Sequence, residues 1–171
     1  MRHLKAILAL PFIVAVVLPG LLYLGNIEHI FPAIDKAARL PYRIGIGVPL
    51  LLAGLYIFVV TNKLLASIGK GTLAPWDPTQ KMVIEGPYRY CRNPMITAVL
   101  FIILAEAFLL ASFPILIWAC IFFVMTNIYF LLSEEPEMEQ RFGQEYQDYK
   151  ANVPRWIPRL RAWKGQEDRA D

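Results

Sequence analysis

The chain has 171 residues, of which 57% are hydrophobic and 18% charged, with a formal net charge of +3. A water-soluble domain of this length needs more charge to cover its surface, so the composition excludes an ordinary soluble globule. Lipid is the expected solvent for about half of the molecule. The modest charge gives no reason to expect nucleic-acid binding.

Four apolar runs have the length of membrane spans. The first, Ala6 to Gly25, carries no charge. It follows Met1-Arg2-His3-Leu4-Lys5, but it is too long for a typical signal-peptide core and no small-x-small site ends it. A retained helix is therefore expected. The second run, Ile44 to Val60, is also uncharged, and Gly45-Ile46-Gly47 inside it reads as a helix-packing surface. The third, Met95 to Ala111, is interrupted only by Glu106. An ionised carboxylate within a span is costly, so Glu106 should face a partner or a cavity, with Asn127 as the candidate partner. The fourth run is Pro114 to Leu132. Pro11, Pro19 and Pro49 fall inside spans one and two and predict kinks that neighbouring helices satisfy.

Only Ser112-Phe113 separates the third run from Pro114. Spans three and four must then form a tight antiparallel hairpin, with Pro114 in the first turn of a helix, where its missing N–H costs nothing. With four spans, the N-terminus, the loop from Thr61 to Asn93 and the C-terminal segment share one side. They carry 14 of the 17 Lys and Arg. The positive-inside rule makes that side the cytoplasm and the location the cell (inner) membrane, with both termini cytoplasmic. Cys91 falls in the cytoplasmic loop and Cys120 within a span, which makes no disulfide framework. His3 and His29 lack metal-ligand spacing, and no metal site is expected.

Beyond the fourth span, Ser133-Glu134-Glu135-Pro136 either bends the helix or starts a new one. Met138, Phe142, Tyr146, Tyr149 and Val153 recur at helical spacing and predict one amphipathic helix, with Tyr146 and Tyr149 as packing residues. From Arg161 the chain is polar. The expected organisation is a single integral-membrane domain, residues 1–160, with a polar tail, 161–171. The fold class is an all-α membrane helix bundle.

Two stretches on the basic side carry chemistry. One runs from Gly69-Lys70-Gly71-Thr72 through Trp76 to Gly86-Pro87-Tyr88, Arg92-Asn93-Pro94-Met95. The other holds Glu134-Glu135, Phe142-Gly143, Tyr146, Tyr149 and Val153-Pro154-Arg155-Trp156. The short hairpin turn makes the cytoplasmic ends of spans three and four neighbours, which brings Asn93 and Glu134 to one place. Glycines permit close approach of a ligand. Tyr88 and Trp76 offer flat faces for an adenine or a cation. The carboxylates suit an ammonium, a sulfonium or ribose hydroxyls, and Arg92 suits a carboxylate. S-adenosylmethionine presents all of these groups. ATP fits less well, because no Gly-x4-Gly-Lys-Ser/Thr loop is present.

These motifs resemble those of the isoprenylcysteine carboxyl methyltransferase family and, more broadly, of membrane methyltransferases that include the phospholipid N-methyltransferases. The resemblance covers about Gly69 to Pro158. It rests on the Gly-x-Gly-Thr-x-x-Pro run, the Gly-x-Tyr-x-x-x-Arg-Asn-Pro run, the acidic pair and Phe-Gly-x-x-Tyr-x-x-Tyr followed by Val-Pro. It implies S-adenosylmethionine as cofactor, held by Gln80, Lys81, Met82, Val83, Tyr88, Asn93, Pro94, Met95, Ile96, Glu134 and Glu135. Arg92 is the candidate positioning residue and Arg155 a candidate for substrate contact. Asn93 stands where eukaryotic members of the family carry His, so a mechanism needing an imidazole base there fails. The implied acceptor is lipophilic, with an isoprenylcysteine-type carboxyl favoured over a phospholipid or small-molecule amine. A non-enzymatic membrane protein that keeps the fold is the remaining alternative.

Overall fold

A computed structural model describes residues 11–25, 40–69 and 81–165. The start of span one, most of the first loop, Lys70 to Gln80 and the end of the tail lie outside the described residues, and with them His3, His29 and Trp76. Every regular element among the described residues is helical. They are a π-helical segment Ile13–Val17 leading into α1 (Leu18–Leu24), α2 (Leu40–Leu64), a 3-10 turn Gly86–Arg89, α3 (Pro94–Leu110), α4 (Phe113–Tyr129), α5 (Glu135–Phe142) and α6 (Gln144–Asn152). Helix α2 continues through a π segment, Leu65–Gly69, and α4 through another, Phe130–Glu134.

The expected spans two and four thus lie in unbroken helices of 30 residues, Leu40–Gly69 and Phe113–Phe142. At ~1.5 Å per residue each is about 45 Å long, more than a hydrocarbon core of ~30 Å requires. Each therefore has room for polar residues beyond an apolar layer on the same helix. Spans one and three are shorter apolar helices, Ile13–Leu24 and Pro94–Leu110.

Two of the π segments have a common cause. Pro19 and Pro136 each stand two residues after one. A proline in a helix clashes with the carbonyl four residues back and donates no bond to it. Widening the preceding turn to i→i+5 bonding relieves the clash: Leu18 N–H donates to Ile13 O, and Glu135 N–H to Phe130 O. The helix then runs on through Pro136 without starting anew. The chain breaks instead at Gly143, whose φ of 54° and ψ of −128° only glycine adopts easily. The single amphipathic helix expected over 138–153 is therefore two helices, α5 and α6. Its apolar face survives the break, because Met138, Phe142, Tyr146, Tyr149 and Val153 still pack into one cluster. Helix α2 likewise passes through Pro49 unbroken.

The chain divides into two compact units, Met1–Tyr56 with Thr97–Met125, and Ile57–Ile96 with Thr126–Asp171. In the first, α2 and α3 pack closely through glycine. A Cβ on Gly47 would stand 2.6 Å from Leu109 Cγ, and one on Gly54 2.9 Å from Ile102 Cγ1. The Arg43 guanidinium donates to the carbonyls of Phe108 and Leu109, capping α3 at the end where its carbonyls are unpaired. The hairpin turn is Ala111-Ser112, one residue earlier than expected. Ala111 takes φ 50°, Ala111 N–H bonds Phe108 O at 3.1 Å and Ser112 N–H bonds Ala107 O at 3.0 Å. That is a Schellman closure with alanine in the place usually taken by glycine. Pro114 then occupies the first turn of α4. In the π segment Ile13–Val17 the carbonyl of Val14 would pair with residue 19, a proline without N–H. Trp118 Nε1–H supplies the missing donor at 3.0 Å.

Glu106 lies one turn from the end of α3, and its Oε2 is buried without a hydrogen-bond partner. The partner expected for it, Asn127, uses its side-chain oxygen otherwise, accepting from Arg155 Nη1 at 2.9 Å and Trp156 Nε1 at 3.1 Å.

Candidate functional site

The second unit builds a cavity at the ends of the long helices. Its floor is an apolar cluster of Leu65, Val83, Tyr88 and Met95, with Phe58, Leu64 and Ile68 packed around it. Gly86, with φ 54°, turns the chain tightly against Leu64, whose Cδ1 would stand 3.0 Å from an added Cβ. The 3-10 turn that follows is closed by Tyr88 N–H to Glu85 O and Tyr90 N–H to Pro87 O, both 3.1 Å. This turn buries the Tyr88 ring. The Tyr149 hydroxyl on α6 donates to the Tyr88 carbonyl at 2.7 Å and locks the turn in place. Pro87 helps set the turn, since its φ is fixed and its N–H is not needed.

The cavity, about 80 Å³, is lined by Met82, Val83, Tyr88, Arg92, Asn93, Met95, Ile96 and Glu134, together with Leu65, Phe130, Met138, Tyr146 and Tyr149. Of the residues named from the sequence, seven of the cofactor set and Arg92 thus meet at one wall. Lys81 is exposed and Pro94 is buried, and neither lines the cavity. Gln80 lies outside the described residues. Sequence reasoning missed Leu65, Phe130 and Met138, which give no chemical signal. Tyr146 and Tyr149 do pack as expected, yet the face they pack on is also cavity wall.

Two buried polar atoms at this wall have no protein partner, the Tyr88 hydroxyl and Arg92 Nε. A buried polar group left unpaired costs ~1–3 kcal/mol, so both are groups suited to a ligand. Burial, with Tyr149, Glu134 and Cys91 nearby, raises the Tyr88 pKa well above that of a free phenol. The hydroxyl keeps its proton and remains a donor. Glu134 stands two residues beyond the apolar run that ends at Leu132. Burial first, then the charges of Glu137 and Glu135, push its carboxyl up to about 7.

The neighbouring carboxyl behaves in the opposite way. Glu135 does not line the cavity but sits at the centre of a cation cluster. Its Oε1 accepts from Arg92 Nη1 at 2.8 Å and from Arg155 Nε at 2.8 Å, and its Oε2 meets Lys150 Nζ at 3.0 Å. Burial alone would raise its pKa, but the Lys150 hydrogen bond and the two guanidiniums outweigh that and lower it. Adjacent glutamates are thus split: the one at the cavity titrates at about 7 and the one behind it is held ionised. Through Glu135 the Arg92 guanidinium is fixed beside the cavity, steadied also by the Tyr146 hydroxyl at 3.4 Å. Arg155 is part of the same cluster and so is held away from the cavity lining.

A second, larger cavity of about 600 Å³ shares Met82 with the first and is more polar. Glu85, Arg89, Glu145, Asp148 and Trp163 lie along it.

Among the described residues, two helices are long and apolar enough to cross a bilayer, and the cavity with its raised carboxyl lies at their polar continuations. The family model for phospholipid methyltransferase matches residues 42–145, more than half of the chain, and the chain belongs to that family of membrane methyltransferases. No curated protein and no solved structure matches it. The matched stretch takes in Tyr88, Arg92, Asn93, Glu134 and Glu135.

Proposed function

We propose that the chain transfers a methyl group from S-adenosylmethionine to a lipophilic acceptor at the cytoplasmic face of the cell membrane, with both termini in the cytoplasm. The observation that carries this reading is the pairing of orphaned donors with a carboxyl across one small cavity. Tyr88 OH and Arg92 Nε–H suit the carboxylate of a methionyl end, and Glu134 suits its cationic centre. On a scale where one water needs ~10–15 Å³, a cavity of about 80 Å³ holds the polar end of such a cofactor, not its nucleoside. The carboxylates of the larger cavity across Met82 are of the kind that accept from ribose hydroxyls.

When bound, S-adenosylmethionine supplies a methyl group on an already activated sulfonium. The protein's part is to hold donor and acceptor in line and exclude water, which in favourable cases supplies ~7–11 kcal/mol. Arg92, braced by Glu135, fixes one end of the donor. The apolar cluster of Leu65, Val83 and Met95 keeps the floor dry. The motif resemblance favours an isoprenylcysteine-type carboxyl as acceptor, which needs no general base.

A phospholipid headgroup amine is the second reading, and two observations favour it. The family matched is the phospholipid methyltransferases. An ammonium acceptor must also lose a proton before it attacks, and Glu134, raised to about 7, is matched to accept one near neutral pH. Transfer of labelled methyl from S-adenosylmethionine to prenylcysteine analogues and to phosphatidylethanolamine vesicles, by the purified full chain, distinguishes the two. Label in neither, together with no calorimetric signal at millimolar cofactor, would falsify the enzymatic reading.

A further inference from the structure

The family match ends at residue 145, and the segment after Asn152 has no role in it. Residues 153–165 have no regular secondary structure, yet several bonds pin them. Arg159 N–H bonds Tyr90 O and Trp163 N–H bonds Arg89 O, both at 3.0 Å, and Arg159 Nη1 donates to Asn152 O at 2.8 Å. The Trp163 ring packs on Tyr149, with centroids 5.6 Å apart.

The pinning sets a depth. The Trp156 indole donates to Asn127 Oδ1 and packs edge-on against Phe130 at 5.7 Å. Asn127 lies five residues before the apolar run ends at Leu132, about 7.5 Å along the helix at ~1.5 Å per residue. Trp156 is therefore held inside the apolar layer's edge, the level where indoles concentrate in membrane proteins. Its neighbour Ile157 is 80% exposed, and Leu160 is 100% exposed. Residues 153–165 contain Arg155, Arg159, Arg161 and Lys164 and no acidic residue. Arg155 is committed to Glu135 and Lys164 lines the larger cavity beside Glu145 and Asp148, while Arg161 is exposed.

We propose that the pinned segment 156–164 is an interfacial anchor. It seats Ile157 and Leu160 in the leaflet on the cavity's side and binds the headgroups of anionic phospholipids through Arg161. A loop that only capped the site in water would have no reason to present two bare aliphatic side chains beside an indole held at this depth. An apolar tip followed directly by an exposed cation is complementary to an anionic lipid surface.

The test uses the full chain in lipid nanodiscs. A fluorophore is attached at Leu160→Cys, or at Gln147→Cys on the exposed face of α6, each in a Cys120→Ser background; Cys91 is buried. Lipids spin-labelled near the headgroup should quench position 160 at least threefold more than position 147, and more strongly in discs containing phosphatidylglycerol than in phosphatidylcholine alone. Equal quenching at the two positions overturns the anchor. So does shielding of position 160 that appears only with two copies per disc, which would assign the surface to a second copy. In a separate arm, R161Q should retain at least threefold less phosphatidylglycerol on purification while its thermal midpoint is unchanged. Unaltered retention overturns the anionic-lipid site.

Discussion

Glu134 and Glu135 are adjacent in sequence and opposite in circumstance. Glu135 is the buried anion that holds three cations together, with side-chain exposures of 6% for Glu135, 10% for Arg92 and 17% for Arg155. Removing one partner of a buried ion cluster leaves uncompensated charge and typically costs ~3–5 kcal/mol. Glu135→Ala should therefore lower the thermal midpoint in detergent strongly and weaken cofactor binding as a consequence. Glu134→Gln removes a carboxyl with no such duty. It should leave the midpoint nearly unchanged and weaken S-adenosylmethionine about tenfold or more by calorimetry. If the two variants shift the midpoint equally, the division of roles is wrong. The same residue predicts a pH signature. A carboxyl titrating at about 7 is partly protonated at neutral pH, and a cationic ligand favours its ionised form. Affinity should rise with pH between about 6 and 8, and binding at pH 7 should release protons, read as heats that vary with the ionisation enthalpy of the buffer. Glu134→Gln should abolish both effects.

At the scale of elements, glycine geometry divides what the sequence can reveal from what it cannot. The apolar runs placed span three to within a residue and spans two and four inside longer helices, because lipid leaves little choice but a helix for a long uncharged stretch. The two-residue turn likewise made the hairpin legible. The break at Gly143 was not, because the spacing of Met138, Phe142, Tyr146 and Tyr149 fits one helix as well as two. Periodicity reports which face is buried and says nothing about a local φ. This makes Gly143 a sharp test. A Cβ there meets nothing within 4 Å, so the whole effect of Gly143→Ala is backbone strain, about 1–3 kcal/mol. Gly45→Ala, equally open but inside α2, should instead be neutral or stabilising by up to ~1 kcal/mol. Thermal midpoints of the two variants should move in opposite directions or differ clearly. Equal shifts would mean that α5 and α6 can be joined by a residue other than glycine.

For the whole molecule, the candidate site drew on sequence in proportion to its chemistry. Tyr88, Arg92, Asn93 and Glu134 were legible as motif residues, and the cavity brings them to one wall. Leu65 and Phe130 were not, since apolar wall residues look like any other part of a span. The cation cluster was hidden for a different reason. Its members, Arg92, Glu135, Lys150 and Arg155, come from a loop, two helices and a segment without regular structure. No spacing in sequence announces a cluster assembled by tertiary packing.

That assembly makes the C-terminal segment a structural part of the site, not an appendage. Arg92 N–H bonds Pro154 O at 2.9 Å, the Cys91 thiol approaches Arg155 O at 3.0 Å, and Arg159 and Trp163 hold the carbonyls of Tyr90 and Arg89. Every residue from Arg89 to Arg92 is thereby tied to residues 154–163. A chain ended after Asn152 loses all of these bonds together with the Arg155–Glu135 pair, while its apolar helices are intact. It should still insert into membranes but bind S-adenosylmethionine at least tenfold more weakly. A chain ended after Gly165 keeps every one of these contacts and should bind as the full chain does. Detergent-solubilised calorimetry on the two truncations decides the matter: equal affinities would show that the motif residues hold their geometry without the segment, and the bracing assigned to it would be wrong.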